Sequence, residues 1–339
     1  NVHRVRALMD EVFGEDNFLA QIVFAKTSGY STKHLTGVCD YILWYGKDKE
    51  VTKFRQPLDL KEAGKPGATK YTRIELPSGE TRTMTPEEKA GIESLPDGAK
   101  VWVDDNLTSQ GNPSFSFDYQ EDLYSATYKT TEKGLKRLEK ADRLYKTKNS
   151  LRYIRYMSDF KANPANVAWM DIGGVQSRSD PKVYVVQTAT EAVKRCITMA
   201  SDPGDLVLDP TCGSGTTATV AEEWGRRWIT IDTSRVALAL ARARLMGARY
   251  PYYLLNDSPE GQKKIAEITR ESASTADTHG SIRQGFVYKR APHIMLSDIA
   301  NNAEIDVIWE EYQEQMEPLR EAINKKAGLD LERWEIHRE

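Results

Sequence analysis

The stretch from Leu206 to Leu245, LVLDPTCGSGTTATVAEEWGRRWITIDTSRVALALARARL, leaves the fold the fewest choices. Leu206-Val207-Leu208 is a short apolar run that ends on Asp209. Pro210 to Gly215 neither prolongs a strand nor starts a helix early, because Pro fixes φ and the glycines allow a tight, open turn. Thr216 to Trp224 has helical composition, and Trp228-Ile229-Thr230-Ile231 is a second β-branched run. That run ends on Asp232, and Ser234 is placed to cap a helix from Arg235 to Leu245.

Strand, glycine turn, helix, strand and acid make half of a nucleotide-binding α/β unit. Backbone N–H groups at Gly213-Ser214-Gly215 can approach a ligand at a helix N-terminus. Asp232, about 20 residues on, can accept both hydroxyls of an adenosine ribose. Gly213, Gly215 and Ala218 also satisfy G-x-G-x-x-[GA], so a dinucleotide site stays open on this pattern alone.

The longer string Asp209-Pro210-Thr211-Cys212-Gly213-Ser214-Gly215-Thr216-Thr217 resembles the D-P-F-x-G-S-G-T-T signature of amino-group DNA methyltransferases, which modify adenine N6 or cytosine N4. The resemblance implies S-adenosylmethionine as cofactor. It assigns the methionine half to Asp209, Pro210, Cys212, Gly213, Ser214, Gly215 and Thr216, and the ribose to Asp232. Thr211 stands where Phe is usual, a change that touches packing more than hydrogen bonding. The opening is similar to the same family: Asn1-Val2-His3 through Met9-Asp10-Glu11-Val12-Phe13-Gly14 to Asn17-Phe18, then Asp40-Tyr41-Ile42-Leu43-Trp44-Tyr45. With these segments ahead of the glycine loop, the order resembles the β-type members, type III Mod-like adenine-N6 enzymes among them. Gln187 matches a family "Y-P-T-Q-K-P" segment and is added to the cofactor set, but Thr188-Ala189 replace its Lys-Pro.

In that order the catalytic tetrapeptide [DNS]-P-P-[YFW] is expected upstream of Asn1, so no catalytic residue is assigned within the chain. Asn112-Pro113-Ser114-Phe115 comes nearest and reads as an ordinary turn after a Gly/Ser-rich loop, a poor platform for a rigid base-holding site. The sequence is expected to be a fragment of a longer protein, inactive by itself.

Bulk properties narrow the alternatives. Lys and Arg number 47 against 50 Asp and Glu over 339 residues, a net charge of -3, so any nucleic-acid surface must be local. Cys39, Cys196 and Cys212 form no C-x-x-C, and the five histidines show no ligand spacing; no metal is expected, and a reducing cytoplasm fits. No apolar run reaches membrane-spanning length, and no signal peptide is evident.

The local surplus lies between Tyr128 and Tyr156, where ten Lys and Arg face three Asp and Glu with tyrosines interleaved. Lys133, Lys136, Arg137, Lys140, Arg152 and Arg155 are the candidate contacts to double-stranded DNA. Around them the pattern predicts a hairpin over Tyr71–Met84, a helix starting at Thr85-Pro86, a strand from Lys100, a polar loop from Leu107 to Ser116, a helix over Thr131–Leu144 and a strand over Leu151–Met157. The N-terminal residues Val5, Leu8, Met9, Val12 and Phe13 predict a core-facing helix, followed by strands at Ala20–Ala25 and Asp40–Gly46 and by a polar loop between them. Beyond the glycine unit, Tyr250–Leu255 and Phe286–Tyr288 read as strands and Glu260–Gly280 as a loose insertion. Asp257 reads either as part of an adenine pocket or as a turn former. Ile305, Ile308, Trp309, Tyr312, Met316, Leu319 and Ile323 keep helical spacing across Pro318.

The expected architecture is α/β: a Rossmann-like methyltransferase sheet, mixed but mostly parallel, with an inserted α+β target-recognition region. Residues 1–48 would be the remainder of the catalytic subdomain, 49–165 the DNA-contacting insert, 166–258 the cofactor subdomain and 259–339 a helical extension. The expected activity of the intact protein is methyl transfer to an exocyclic amine in DNA, adenine N6 ahead of cytosine N4. Alternatives are a DNA-binding fragment without turnover, a NAD-dependent dehydrogenase, and a methyltransferase acting on RNA or a small molecule. A restriction endonuclease subunit as partner follows from the family context and from no residue here.

Overall fold

The computed structural model describes residues 2–26, 33–172, 184, 187–272 and 274–336. Part of the loop expected after Lys26 lies outside the described residues. The chain divides into two compact units, Asn1–Asp59 with Pro164–Arg290, and Leu60–Asn163 with Ala291–Glu339.

In the first unit, the apolar strand Phe18–Ala25 pairs antiparallel with Cys39–Tyr45 and parallel with Ala168–Trp169. Its inward residues Ile22 and Phe24 pack with Trp169, Ile172, Ala192 and Met199, the last two from the helix Thr190–Ala200. The second sheet of the unit is the parallel pair Leu206–Asp209 and Arg227–Thr230, joined by the helix Thr216–Glu223. One side of this pair packs through Val207 and Trp228 against Ile197, Val220 and Ala221. The alternate residues point the other way and are exposed, Leu208 at 61% and Ile231, just past the second strand, at 53%. Ser234 Oγ accepts from Ala237 N and starts the helix Arg235–Gly247. The α/β unit expected from the glycine stretch is therefore present.

Several expectations for this unit are corrected. The helix Val2–Phe13 forms and stops at Gly14, whose φ is +86°, but none of its residues is buried. It is held from its polar side, where Tyr45 Oη donates to Asp10 Oδ1 at 2.5 Å. Tyr250–Leu255 forms no strand: Leu255 makes one isolated bridge to Phe286, and Tyr253 packs its ring near Trp224 and Phe286. The expected loose insertion contains the helix Pro259–Thr269, with Ser258 as cap and Pro259 in its first turn. Asp257 is buried and accepts from His279 N and Ser281 N at 3.2 and 2.8 Å, tying the turn before the helix Pro259–Thr269 to the segment that follows it.

The second unit is α+β. Its sheet runs in the order Thr81–Thr83, Arg73–Glu75, Lys100–Asn106, Leu151–Tyr156, Leu144–Lys146, with each neighbouring pair antiparallel. The helix Pro86–Ala90 carries a complete capping box between Thr85 and Glu88. The expected loop before Ser116 gives way at Ser114 to a hairpin, Ser114–Tyr119 with Asp122–Thr127, turned by Gln120 and Glu121 at positive φ. The amphipathic helix starts at its Thr131 cap but ends at Lys140, short of Leu144; Asp142 takes φ +53° and a strand begins at Leu144. Leu107, Tyr128, Leu135, Leu138 and Leu151 close a core that Ile299 and Ala300 complete from the C-terminal segment. The helix Glu304–Ala327 continues through Pro318 and buries none of its residues. Residues 259–339, expected as one extension, are divided between the two units at Arg290 and Ala291.

Candidate functional site

The loop after Leu206–Asp209 is tied down by backbone and carboxylate bonds. Ile231 N donates to Asp209 O at 2.8 Å and Cys212 N to Ile231 O at 2.9 Å, which joins the ends of the two parallel strands. Asp209 Oδ1 accepts from Thr211 N at 3.0 Å, and Gly215 N closes the turn onto Cys212 O. Asp232 uses both carboxylate oxygens: Oδ2 accepts from Gly213 N and Oδ1 from Ser234 N, each at 2.8 Å. The Ser234 N–H and then the Gly213 N–H hold its carboxyl below the usual carboxylate range. A carboxylate has more acceptor sites than these two bonds fill, which leaves capacity for hydroxyl donors.

Two glycines are needed for different reasons. Gly213 has φ +51° with only ordinary room lost to Tyr184, so its backbone angle decides. Gly215 has φ +80°, and a Cβ there would stand 2.7 Å from Cβ of Ala241, so it also lets the two helices approach. Ser214 and Thr216 are buried, and Pro210 is exposed at the turn. Cys212 is buried and its thiol is pushed up by burial, so it packs the loop rather than presenting a thiolate. Gln187 is half-buried ahead of the helix Thr190–Ala200.

Sequence reasoning missed Arg244. Its Nη1 donates to Ser214 O, Ser214 Oγ and Thr216 Oγ1 at 3.0, 3.0 and 3.1 Å, clamping the loop from the second helix. The only signal was an arginine seven residues past Ala237 on the buried face of that helix, which nothing local ties to the loop.

The basic segment is only partly a free face. Arg137 is buried; its Nε donates to Asp306 Oδ2 at 2.9 Å and its Nη1 to Ala300 O at 3.2 Å. Lys140 takes the other oxygen of Asp306 at 2.8 Å. Lys140 and then Arg137 hold the Asp306 carboxyl low. Arg137 and Lys140 are thus corrected from candidate DNA contacts to anchors of the C-terminal segment. Lys136 pairs along the helix with Glu132 in an exposed, weak bridge, and Lys133 is exposed. Arg155 lies 3.2 Å from Asp105 and near the Tyr71 ring; Arg152 is on the opposite face of the same strand, with a buried Nε that has no partner.

Comparison with known proteins adds the following. A family model described as DNA methylase, of the N6/N4 type, matches residues 1–243. The type II methyltransferase M.EcaI of Enterobacter cloacae is 28% identical over 268 residues, 73% of this chain and 51% of that protein. A Haemophilus influenzae protein named "Probable type III restriction-modification enzyme HindVI Mod subunit" is 26% identical over 303 residues, 71% of this chain and 39% of its own length. The chain thus spans about half, or less, of the length of these relatives. The crystal structure of an M1.HpyAVI-SAM complex covers 72% of this chain and 70% of its own, at 12% identity and a TM-score of 0.32. No helix among the described residues is long and apolar enough to cross a membrane.

Proposed function

Since the chain belongs to the N6/N4 family of DNA methylases, by a match to that family over residues 1–243, we propose that the protein carrying it transfers a methyl group from S-adenosylmethionine to an exocyclic amine of a base in DNA. Adenine N6 is the target put forward, with cytosine N4 as the competing one. The observation that carries the reading is Asp232, which follows the second strand and bonds both the glycine loop at Gly213 N and the start of the next helix at Ser234 N.

The residues present fit the cofactor. Asp209 ends one of two adjacent parallel strands and Asp232 lies two residues past the end of the other, and Gly213 and Gly215 leave the backbone between them bare. Asp232 offers its remaining acceptor capacity to the ribose hydroxyls, and Asp209 with the bare glycine turn makes room for the methionine half. Arg244 keeps the loop rigid, so the ligand meets a prepared surface and loses less freedom on ordering it. When bound, the cofactor supplies an already activated methyl group. The chain's part is to hold it in place and to keep the loop from moving during the reaction. The nicotinamide reading has no support from the family assignment.

Double-stranded DNA as substrate accords with the second unit serving as the target-recognition region, and Lys133, Lys136, Arg152 and Arg155 are its remaining candidate contacts. A restriction endonuclease subunit as partner is suggested by the similarity to a Mod subunit. Three unpaired cysteines and a DNA substrate accord with a reducing, cytoplasmic setting.

Titration calorimetry of the chain with S-adenosylmethionine and, separately, with NADH tests the cofactor. Binding of the first alone supports the reading, and Asp232→Asn weakens it by roughly tenfold while the loop keeps one carboxamide oxygen. Binding of NADH in its place overturns it.

A further inference from the structure

The second unit contains a pocket of about 200 Å³ whose lining includes Lys61, Tyr71, Asp105, Tyr153, Arg155 and His293. Tyr153 and Arg155 come from one face of the strand Leu151–Tyr156, and Asp105 sits directly opposite Tyr153 on the neighbouring strand. His293 stacks on Phe160 with centroids 4.3 Å apart, and the chain is pinned there by Ile294 N donating to Asp159 O at 2.9 Å.

The polar groups of this pocket are short of acceptors. Tyr153 is 3% exposed, yet its hydroxyl has no hydrogen-bond partner. Arg155 Nε is buried and also has none. Lys61 Nζ donates to Phe160 O at 2.9 Å and forms no ion pair among the described residues. Of the two carboxylates, Asp159 is spent outside the pocket and Asp105 meets only one end of the Arg155 guanidinium. Asp159 accepts from both Nη atoms of Arg143 at 2.7 and 3.0 Å and from Tyr156 N, and Asp105 faces Arg155. Burial and then the charge of Arg155 push the Lys61 ammonium down, so the two cations disfavour each other as they stand. Burial also raises the Tyr153 phenol to about 12, so the hydroxyl stays a donor at neutral pH.

We propose that this pocket seats a phosphodiester of the DNA backbone, bound by the Lys61 ammonium, the Arg155 guanidinium and the Tyr153 hydroxyl. The inference rests on the DNA substrate proposed above and adds the place where the strand is anchored. Two cations and a hydroxyl whose donor is unused suit a phosphate better than a base edge, which presents donors as well as acceptors. A singly charged diester suits the site better than a free phosphate dianion, because Asp105 and Asp159 stand nearby. Such a contact fixes the position of the duplex and carries no sequence information.

The test is binding of a labelled duplex to the full chain, followed between ~50 and ~200 mM salt. Lys61→Gln is expected to weaken all duplexes alike and to flatten the dependence of log K on log salt by about one phosphate contact. Tyr153→Phe keeps the ring packed and is expected to weaken binding roughly tenfold with the salt slope unchanged. Wild-type affinity and slope in both variants would overturn the pocket and leave DNA binding by the chain intact. Failure of the folded wild-type chain to bind any duplex would remove the DNA substrate and the anchor together. Inorganic phosphate is the separate probe: if it binds wild type, is lost in Tyr153→Phe, and duplex binding persists in that variant, the pocket takes free phosphate and the proposal is wrong.

Discussion

The two units bury their apolar residues very differently. In the second, Trp102, Leu107, Leu135 and Leu138 are fully buried, and strands, helices and the C-terminal segment close around them. In the first, the two-stranded sheet that carries the glycine loop is covered on one side only, and Leu206, Leu208 and Ile229 remain about half exposed or more. Parallel strands are ordinarily covered on both faces. The glycine-loop sheet therefore leans more on hydrogen bonds around Asp232 and Arg244, whereas the unit proposed to read DNA leans on packing.

This contrast sets the sizes of the expected effects. Leu138→Ala should cost ~2–5 kcal/mol, because it empties a fully enclosed site, while Leu208→Ala should stay within ~0.5 kcal/mol. Denaturant unfolding with site-resolved hydrogen exchange checks both, and equal losses would break the comparison. Gly215→Ala should cost ~1–3 kcal/mol from its positive φ, with further strain against Ala241, and should be read out in the first unit alone. Thr131→Ala removes the cap from the helix Glu132–Lys140 and should cost ~1 kcal/mol, seen as faster exchange in its first turn.

The last expected effect is read out in acid. Hydrogen bonds from Arg82 and then from Thr85 N lower the Glu88 carboxyl from 4.5 to about 2. A depressed folded pKa stabilises above the unfolded value, so this contribution is complete above pH 4.5 and disappears as pH falls towards 2. The difference in urea midpoint between wild type and Glu88→Gln should shrink over that window. A difference that grows on acidification would contradict the pairing.

What could be read from the sequence followed from range. The glycine loop, its flanking strands, Asp232 and the Ser234 cap all lie within one short stretch, and each was legible from local rules. The Thr85-Pro86 start was legible for the same reason. The equivalent Ser258-Pro259 signal was present but was overlooked, because the polar residues after it suggested a loop; Pro259–Thr269 is a helix. Tyr250–Leu255 had strand composition, yet its aromatics serve packing against Trp224 and Phe286 and no ladder forms. Arg137 and Lys140 were read as part of a free basic face because their partner, Asp306, is more than 160 residues away. Arg244 escaped for the converse reason: an arginine on a helix gives no local sign that it reaches back to Ser214.

The division of the second unit into residues 60–163 and 291–339 has a consequence for recombination. Gly134 lies against Ala300, Arg137 and Lys140 bind Asp306, and Arg333 reaches Asp142. A chimera that exchanges only the central segment with a relative would strand Asp306 and open the core at Ile299. Whatever sequence preference this unit confers is thus inherited in two separate lengths of gene, and a specificity graft must move both together.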